Sequence, residues 1–268
     1  MKDFVIARTN GQGRLTEKAD WDDEWSKISL PSEVKRIEGS WLNELLYILD
    51  KYLPKNDDLS ILEIGGAPGG FLVYMYKNFG YKIHAVDYSD TGCIKMKDNF
   101  NLLNIPVTIS QKDIFSKSSN NLIRYDIVYS LGFIEHFTDL NMVVQKHRKL
   151  LKPGGILLIG APNFLGINYF FLKRLAPKLL SKHNLPTMDI SNWKRFENKF
   201  NLKPLFRGYL FVPNRFGSEK KTTFNKIIET IWRIVDDVFY IVYLFRPFRK
   251  LFNSKYVGDY VIGVYKKQ

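Results

Sequence analysis

The stretch that most constrains the fold of this chain is residues 60–71, SILEIGGAPGGF. Its apolar run at 61–64 is typical of a central strand in a parallel sheet. The run ends at the glycine-rich segment 65–70, after which apolar residues recur at helical spacing as far as Phe79. Glycines let a backbone approach a ligand, and a helix N-terminus offers free N–H groups. The stretch therefore predicts a nucleotide-binding turn, although an ordinary strand-to-helix connection can look the same.

Glu63 distinguishes this turn, because it places a charge inside a predicted buried strand. Burying a carboxylate is costly unless the group meets a partner. Glu63 and the turn read E-x-G-x-x-P-G, which resembles motif I of the class I S-adenosylmethionine (SAM) methyltransferases. The resemblance implies the cofactor S-adenosyl-L-methionine, with its amino group held by Glu63 and its methionine part packed on Gly65, Gly66, Pro68 and Gly69. Ala67 replaces the family's usual middle glycine, and we treat it as a variant.

Two acidic residues near the ends of the next predicted strands extend the resemblance. Asp87 follows a strand predicted at 83–86, about 20 residues after the glycine turn, where nucleotide-binding folds place the carboxylate that bonds the ribose hydroxyls. The resemblance assigns Asp87 and Tyr88 to the cofactor, and it assigns Asp113 with Ile114 to the adenine end. A helix-capping or turn-capping role would account for either aspartate as well.

The fourth and fifth strands complete the pattern. A strand predicted at 125–130 leads through Ser130 and Leu131 to the pair Glu135-His136, the segment that in the family passes beneath the cofactor toward the substrate. Ser130 and Leu131 therefore join the implied cofactor site. A predicted helix (140–151) and the sequence Leu-Lys-Pro-Gly-Gly precede a fifth strand, as is common in these enzymes. The resemblance implies an α/β, doubly wound, Rossmann-like sheet of seven mostly parallel strands with an antiparallel last strand.

The chain divides into four predicted segments. Residues 1–31 are a loosely ordered arm or a lid over the active site, and they contain Trp21 and Trp25. Residues 32–162 form the SAM-binding core, and residues 163–204 are an elaboration on the substrate side. Residues 205–268 hold the last two strands and a helical insertion at 213–255. An amphipathic helix opens the core, with apolar positions at Val34, Ile37, Trp41, Leu45, Leu46 and Leu49.

The insertion is the most individual part of the sequence. It separates a sixth strand, predicted at 205–212, from a seventh at 256–265, and it carries a wide apolar stripe at helical spacing. The net charge of +13 also lies in the last third of the chain, and the insertion ends in the basic cluster Arg246, Arg249, Lys250 and Lys255. Basic and apolar residues together suit an anionic membrane surface. The stripe would look the same if it packed on the protein's own core or in a homodimer.

Composition limits which covalent cross-links, metal sites and cellular locations are expected. The single cysteine, Cys93, excludes an internal disulfide framework and a cysteine-based zinc cluster, and it fits a reducing compartment. No other metal site is predicted. Neither a signal peptide nor an apolar stretch of about 18 residues is visible. We therefore expect a cytoplasmic protein, peripheral at the inner face of the membrane if the insertion binds lipid.

The candidate catalytic residues are His136 and His183. Methyl transfer is an in-line displacement, so positioning of the acceptor carries most of the rate, and a hydroxyl acceptor also benefits from a general base. His136 follows the fourth strand, where ligands bind, whereas His183 lies in the elaboration. His136 could equally be a packing residue. Asp189 is the next candidate base, and His84 and His147 are expected to be structural.

The acceptor is the least determined part of the function. The segment after the fourth strand lacks the Asn/Asp-Pro-Pro-aromatic tetrad of exocyclic-amine methyltransferases, and a nucleic acid is disfavoured because the basic residues alternate with apolar runs. We expect O-methylation of a hydroxyl on a glycan or lipid-linked acceptor, since the segment from Pro162 to Met188 resembles small bacterial methyltransferases of polysaccharide biosynthesis. The alternatives are a small quinone-like or polyketide-like acceptor, RNA, or a non-catalytic SAM-binding partner subunit.

Overall fold

The chain folds around one seven-stranded sheet. The computed structural model describes residues 13–36, 42–116, 123–211 and 217–268, without the side chain of Arg246. The strands are β1 (Ser60–Ile64), β2 (Lys82–Asp87), β3 (Thr108–Gln111), β4 (Tyr125–Leu131), β5 (Leu151–Pro162), β6 (Leu202–Leu210) and β7 (Tyr260–Lys267). Their order is β3-β2-β1-β4-β5-β7-β6. Neighbours from β3 to β5 run parallel, whereas β7 is antiparallel to β5 and β6. The predicted fold class is confirmed.

Helices cover both faces of this sheet. They are α1 (Lys18–Ser26), α2 (Leu42–Tyr52), α3 (Gly70–Phe79), α4 (Asp90–Leu102), α5 (Leu140–Lys149), α6 (Ile167–Leu175), α7 (Pro177–Ser181), α8 (Trp193–Lys199), α9 (Thr223–Leu244) and α10 (Arg249–Phe252). The apolar side chains of α2, α3 and α4 pack on one face, and those of α5 and α8 pack on the other. The central strands are therefore buried on both sides, as their unbroken apolar runs predict.

The helix expected from Ser32 begins later in the structure. Residues 32–36 are not helical, and α2 starts at Leu42; Ile37 and Trp41 lie outside the described residues. The Ser32 N–H donates to the Asn99 side chain at 2.7 Å, and the Val34 N–H donates to the Gly70 carbonyl at 3.3 Å. These tertiary hydrogen bonds hold the segment in a non-helical form, against its helical periodicity.

The last two strands also differ from their predicted bounds. β6 begins at Leu202 rather than at residue 205, and β7 begins at Tyr260 rather than at residue 256. The residues before β7 form a tight turn, in which the Gly258 N–H donates to the Ser254 carbonyl at 2.7 Å. A side chain at Gly258 would collide with that same carbonyl, so this turn fixes where the strand can start.

The helical insertion between β6 and β7 is confirmed as a long helix, α9, that packs beside α6. The Trp232 ring is 2% exposed, and its centroid lies 4.2 Å from that of Phe171 on α6. A small apolar cluster of Phe211, Tyr243 and Phe252 fixes the other end of α9. Among the described residues, no helix has both the length and the apolar character needed to cross a membrane.

Trp232 supplies the main aromatic anchor of α9, so Trp232→Ala should lower the free energy of unfolding by about 3–5 kcal/mol. The change removes a large buried side chain and leaves a cavity against α6. Urea unfolding followed by circular dichroism measures the loss. The control is Ile234→Ala on the same helix, because Ile234 is 58% exposed and its truncation should cost little. Equal losses in the two variants would contradict the observed orientation of α9.

Candidate active site

A pocket opens at the carboxyl ends of β1, β2 and β4. It encloses about 510 Å³ of empty space, part of which is open to solvent. Ligands bind at this edge of doubly wound sheets, at the point where the strand order reverses. The lining residues come from the strand ends, the turns after them and the N-terminal segment: Arg14, Thr16, Trp21, Trp25, Ile64, Gly65, Val86, Asp87, Tyr88, Lys112, Asp113, Ile114, Gly132, Phe133, His136 and Phe137.

The glycine turn forms the floor of one end of this pocket. Gly65 and Gly69 have φ values of +66° and +87°, a region that residues with side chains rarely adopt. At Gly66 the constraint is space instead, because an added Cβ would lie 2.0 Å from the Glu63 carboxyl carbon. The turn therefore leaves backbone where side chains would stand, which is what a closely approaching ligand requires. The predicted Gly66, Pro68 and Gly69 support this turn without lining the pocket themselves.

Glu63 lies beneath the turn as a buried carboxyl group. It is 2% exposed, and its Oε2 atom has no hydrogen-bond partner within the described part of the chain. Burial raises the pKa of Glu63 to about 8, and the nearby Asp87 carboxylate contributes to the shift. An ammonium group above the turn would supply the missing partner. The side chain thus fits the role that the resemblance assigns to it, as the group that receives the cofactor's amino group.

Asp87 stands at the end of β2 and faces the pocket. One of its oxygens accepts a hydrogen bond from the Ser89 N–H at 2.9 Å. Burial raises the pKa of Asp87 to about 6, against several backbone hydrogen bonds that lower it. The helix-capping alternative does not hold, because Ser89 caps α4 by accepting from the Gly92 N–H at 2.8 Å.

The adenine end of the implied site already contains a side chain that sequence reasoning missed. Arg14 forms an ion pair with Asp113, and its guanidinium carbon lies 4.6 Å from the centre of the Tyr88 ring. Asp113 also accepts from the Phe115 N–H at 2.9 Å. Arg14 is 99 positions away from Asp113, and no sequence pattern links them. Ile114 is buried beside this pair and lines the pocket.

The segment that carries Arg14 crosses the pocket. The Leu15 N–H donates to the His136 carbonyl at 2.9 Å, and the Thr138 N–H donates to the Gly13 carbonyl at 2.8 Å. Farther along, Asp22 accepts from the Ser89 hydroxyl at 2.6 Å. Trp21 and Trp25 stack with ring centroids 5.5 Å apart and line the pocket. The described part of residues 1–31 thus covers one side of the pocket, and its action as a lid stays a prediction.

Ser130 and Leu131 do not reach the pocket. The Ser130 hydroxyl is fully buried and lies 2.9 Å from Nε2 of His147, on the α5 side of the sheet. Gly132 and Phe133, which follow in the sequence, line the pocket in their place. His147 is structural, as expected. The residues of this segment that line the pocket thus lie two positions later in the chain than the family resemblance implies.

The two candidate catalytic histidines lie side by side. His136 lines the pocket from a 3₁₀ turn (Ile134–His136) after β4, and His183 follows α7. Their ring centroids are 4.5 Å apart. Burial lowers the pKa of His136 to about 3 and that of His183 to about 4, so both rings are neutral near pH 7. Asp189 is paired with Lys255 at 3.3 Å and does not line this pocket.

Comparison with known proteins agrees with this geometry. Residues 35–203, more than half of the chain, match the family model described as a methyltransferase domain. The chain belongs to this methyltransferase family. Its methyl donor is S-adenosyl-L-methionine, the cofactor that the turn and Glu63 indicated. The enzyme is accordingly a SAM-dependent methyltransferase.

Three similar proteins illustrate the range of the family. The chain is 31% identical to a phosphoethanolamine N-methyltransferase of Plasmodium falciparum, over 39% of this chain and 39% of that protein. It is 22% identical to a ubiquinone biosynthesis O-methyltransferase of Pelagibacter ubique, over 67% and 71% of the two lengths. The fold is shared with a geranyl diphosphate C-methyltransferase of Streptomyces coelicolor, with a TM-score of 0.60, 13% identity and coverage of 94% and 98%. Nitrogen, oxygen and carbon acceptors all occur among them.

The Glu63 carboxyl group makes a pH-dependent prediction for the cofactor-free methyltransferase. Its pKa is raised on folding, so its protonated form stabilises the fold, and this contribution is lost as pH rises from about 4.5 to about 8. Glu63→Gln should therefore gain unfolding free energy relative to the natural protein by up to about 1.4 kcal/mol per pH unit over that range. Urea unfolding at pH 5, 6, 7 and 8 measures the difference. The matched control is Glu24→Gln, at an exposed position on α1. A flat difference between Glu63→Gln and the natural protein would contradict the burial of an unpaired carboxyl group at Glu63.

Asp87 makes a prediction for cofactor binding. Asp87→Ala should weaken SAM binding by about 1.5–3 kcal/mol, because hydrogen bonds from the ribose hydroxyls to a charged group are lost. Isothermal titration calorimetry with SAM measures the change. Asp98→Ala, at an exposed position on α4, is the matched control and should bind SAM normally. Unchanged affinity in a folded Asp87→Ala protein would remove Asp87 from the cofactor site.

Proposed function

We propose that this methyltransferase transfers the methyl group of SAM to a hydroxyl group of a small acceptor carried by lipid at a membrane surface. The observation that carries the proposal is the outward-facing apolar side of α9 and of the turn after it. We call this surface the α9 stripe. Its members are all at least half exposed: Phe224, Ile227, Ile231, Ile234, Val238, Ile241, Leu244, Phe245, Phe248 and Leu251.

The orientation of α9 is unusual for a helix on a protein surface. An amphipathic helix ordinarily turns its apolar side inward and its polar side to water. On α9 the buried residues include Asn225 and Asp236, whereas the exposed residues include five isoleucine or valine side chains. Asn225 donates to the Ser218 hydroxyl at 2.8 Å, so the inward polar side is bonded within the protein. The stripe therefore favours an apolar environment outside this chain.

The charges near the stripe favour a shallow position at a lipid surface. Their contribution to the membrane affinity is smaller than the basic cluster in the sequence predicts. Arg249 lies 3.5 Å from Glu44, and Lys255 lies 3.3 Å from Asp189, so two of the four predicted phosphate contacts are paired inside the protein. Lys250 is exposed. Burial of apolar surface would supply most of the affinity, at about 25 cal/mol per Å², and Lys250 would add about 1 kcal/mol near anionic lipid.

A hydroxyl acceptor fits the polar groups at the edge of the pocket. SAM carries its methyl group on a sulfonium, and the neutral thioether that forms from it is a good leaving group. His136 and His183 each have Nδ1 against a backbone carbonyl, of Lys182 at 2.9 Å and of Leu179 at 2.7 Å. Because a carbonyl only accepts, Nδ1 carries the proton and Nε2 keeps its lone pair. The Nε2 atom of His136, which lines the pocket, can accept the hydroxyl proton as the acceptor oxygen takes the methyl group, and His183 adjoins it.

Two acceptor classes meet this description. The glycan reading rests on the resemblance of the segment from Pro162 to Met188 to bacterial methyltransferases of polysaccharide biosynthesis. A quinone-like phenol is the second candidate, and the similarity to the Pelagibacter ubique O-methyltransferase favours it. Both kinds of acceptor occur attached to lipid chains, so both agree with the α9 stripe. A screen of lipid-linked sugars and polyprenyl phenols, with methylated products detected by mass spectrometry, would separate them.

Vesicle binding tests the membrane part of the proposal. The purified protein should sediment with vesicles that contain phosphatidylglycerol, and the double variant Ile231→Ser and Ile234→Ser should lower the partition coefficient at least about tenfold, because apolar surface is removed from the contact. Lys250→Gln should weaken the salt dependence. The matched control is Ile94→Ser with Ile123→Ser, two exposed isoleucines outside the insertion.

Two results would overturn the membrane proposal. One is a natural protein that does not bind the vesicles at low salt. The other is a natural protein that is dimeric by sedimentation equilibrium, with only the α9 double variant becoming monomeric, because the stripe would then be a subunit interface. Equal vesicle binding by the α9 variant and its matched control would also contradict a specific role for α9.

A further inference from the structure

We infer that Glu135, His136 and His183 form a binding site for one divalent transition-metal ion at the edge of the pocket. One ligand atom from each of these residues lies within 4.8 Å of the other two. Two imidazoles and one carboxylate are a donor set that binds first-row divalent metals with coordination positions left open. The site had no sequence signal, because His183 is 47 residues from His136 and belongs to another segment.

The backbone holds the three residues together before any ion binds. Glu135 and His136 are in the 3₁₀ turn after β4, and His183 is in the loop after α7. The Asn184 N–H donates to the Glu135 carbonyl at 2.6 Å, and the Asn184 side chain donates to the Phe137 carbonyl at 2.7 Å. These bonds tie the loop to the turn, so the donor atoms do not depend on a rearrangement of the chain to meet.

Both histidines have the ring orientation of metal ligands. Nδ1 of His136 contacts the Lys182 carbonyl, and Nδ1 of His183 contacts the Leu179 carbonyl. Metal-binding histidines commonly donate one ring N–H to such an acceptor, which fixes the tautomer and leaves the other nitrogen free for the ion. The Phe164 ring, with its centroid 4.8 Å from that of His183, and Trp21, 4.9 Å from His136, limit rotation of the two imidazoles.

Glu135 supplies the strongest reason to expect a cation. It is 1% exposed, and its Oε2 atom has no hydrogen-bond partner in the described ranges of the chain. Its Oε1 atom lies 3.7 Å from Nε2 of His136. The Lys182 ammonium group, whose charge acts on His136, is paired with Asp20 at 2.8 Å. A buried carboxylate oxygen without a partner is a position that a bound cation would satisfy.

The geometry also indicates which ions fit. Metal–nitrogen and metal–oxygen bonds of about 2.0–2.2 Å require donor atoms about 3–4 Å apart, so the side chains would move inward by small rotations. Two nitrogen donors favour zinc, cobalt, manganese or iron over calcium and magnesium, which prefer oxygen ligands. Because His136 lines the pocket, the open positions of the ion would face the pocket.

A catalytic role for the ion rests on the proposed function, whereas the site itself does not. An ion with open positions can bind the acceptor hydroxyl and lower its pKa, so that its proton leaves to water. The oxygen then bonds to the methyl carbon, and the carbon–sulfur bond breaks with its electron pair remaining on sulfur. In the occupied site, the two histidines would hold the ion rather than act as bases.

Cobalt titration tests the site on the full chain, after dialysis against EDTA and without SAM, acceptor or lipid. Calorimetry and visible absorption should show one Co²⁺ per chain, with the d–d bands of an ion bound to nitrogen. Glu135→Gln and His183→Ala should each weaken Co²⁺ binding at least about 100-fold. His84→Ala is the matched control, because it removes a half-buried imidazole beside Tyr125, outside the proposed ligand set.

The outcomes separate this inference from the proposed function. Absence of Co²⁺ binding by the natural protein overturns the ion site, as does equal affinity in Glu135→Gln and the control. Calorimetry with SAM shows whether each variant is folded. If His183→Ala does not bind SAM, the variant His183→Gln is used in its place. The titration uses neither vesicles nor acceptor, so its failure leaves the membrane proposal standing, and failure of vesicle binding leaves the ion site standing.

Discussion

A carboxylate buried beneath a glycine turn is the constraint on which the cofactor site depends. Glu63 occupies the space that a side chain at Gly66 would need, and its Oε2 atom lacks a partner among the described residues. Such a group destabilises the empty protein at neutral pH, because it is ionised in the unfolded chain but has to be held protonated when it is buried without a counter-charge. The fold tolerates it because β1 is held on both edges, by β2 and by β4. Ligand binding and stability are therefore in opposition at this one residue.

The sheet determines how the rest of the enzyme is arranged around that residue. The parallel strands β1 to β4 end at one edge, so the turns after them meet there and contribute most of the pocket wall. The antiparallel β7 lies between β5 and β6, which places the insertion and the elaboration after β5 next to each other. The Asn163 side chain donates to the Gly258 carbonyl at 2.6 Å and joins these two parts. The turn that leads from the insertion into β7 is thus hydrogen-bonded to the start of the elaboration.

Sequence reasoning succeeded where local pattern determines structure and failed where distant contacts do. The spacing from the glycine turn to Asp87 located the cofactor edge, since each strand end is encoded within a few residues. Periodicity also revealed α9, but it could not tell which way the stripe faces, because that depends on Trp232 packing against Phe171. The non-helical segment 32–36 and the pairing of Arg14 with Asp113 depend on partners far along the chain. His183 was a candidate from its chemistry alone, and only the fold shows that it adjoins His136.

The contact between Arg14 and Asp113 has a thermodynamic consequence for the enzyme. Where the adenine amino group bonds to Asp113, as the family resemblance implies, the guanidinium and the adenine require the same carboxylate. The N-terminal segment is then an intramolecular competitor of the cofactor, present at a high effective concentration because it is covalently attached. In that case the observed affinity for SAM would be the intrinsic affinity of the pocket multiplied by the fraction of molecules in which Arg14 has withdrawn. On that assignment of Asp113, the strength of this ion pair would help to set the cofactor concentration at which the enzyme becomes saturated.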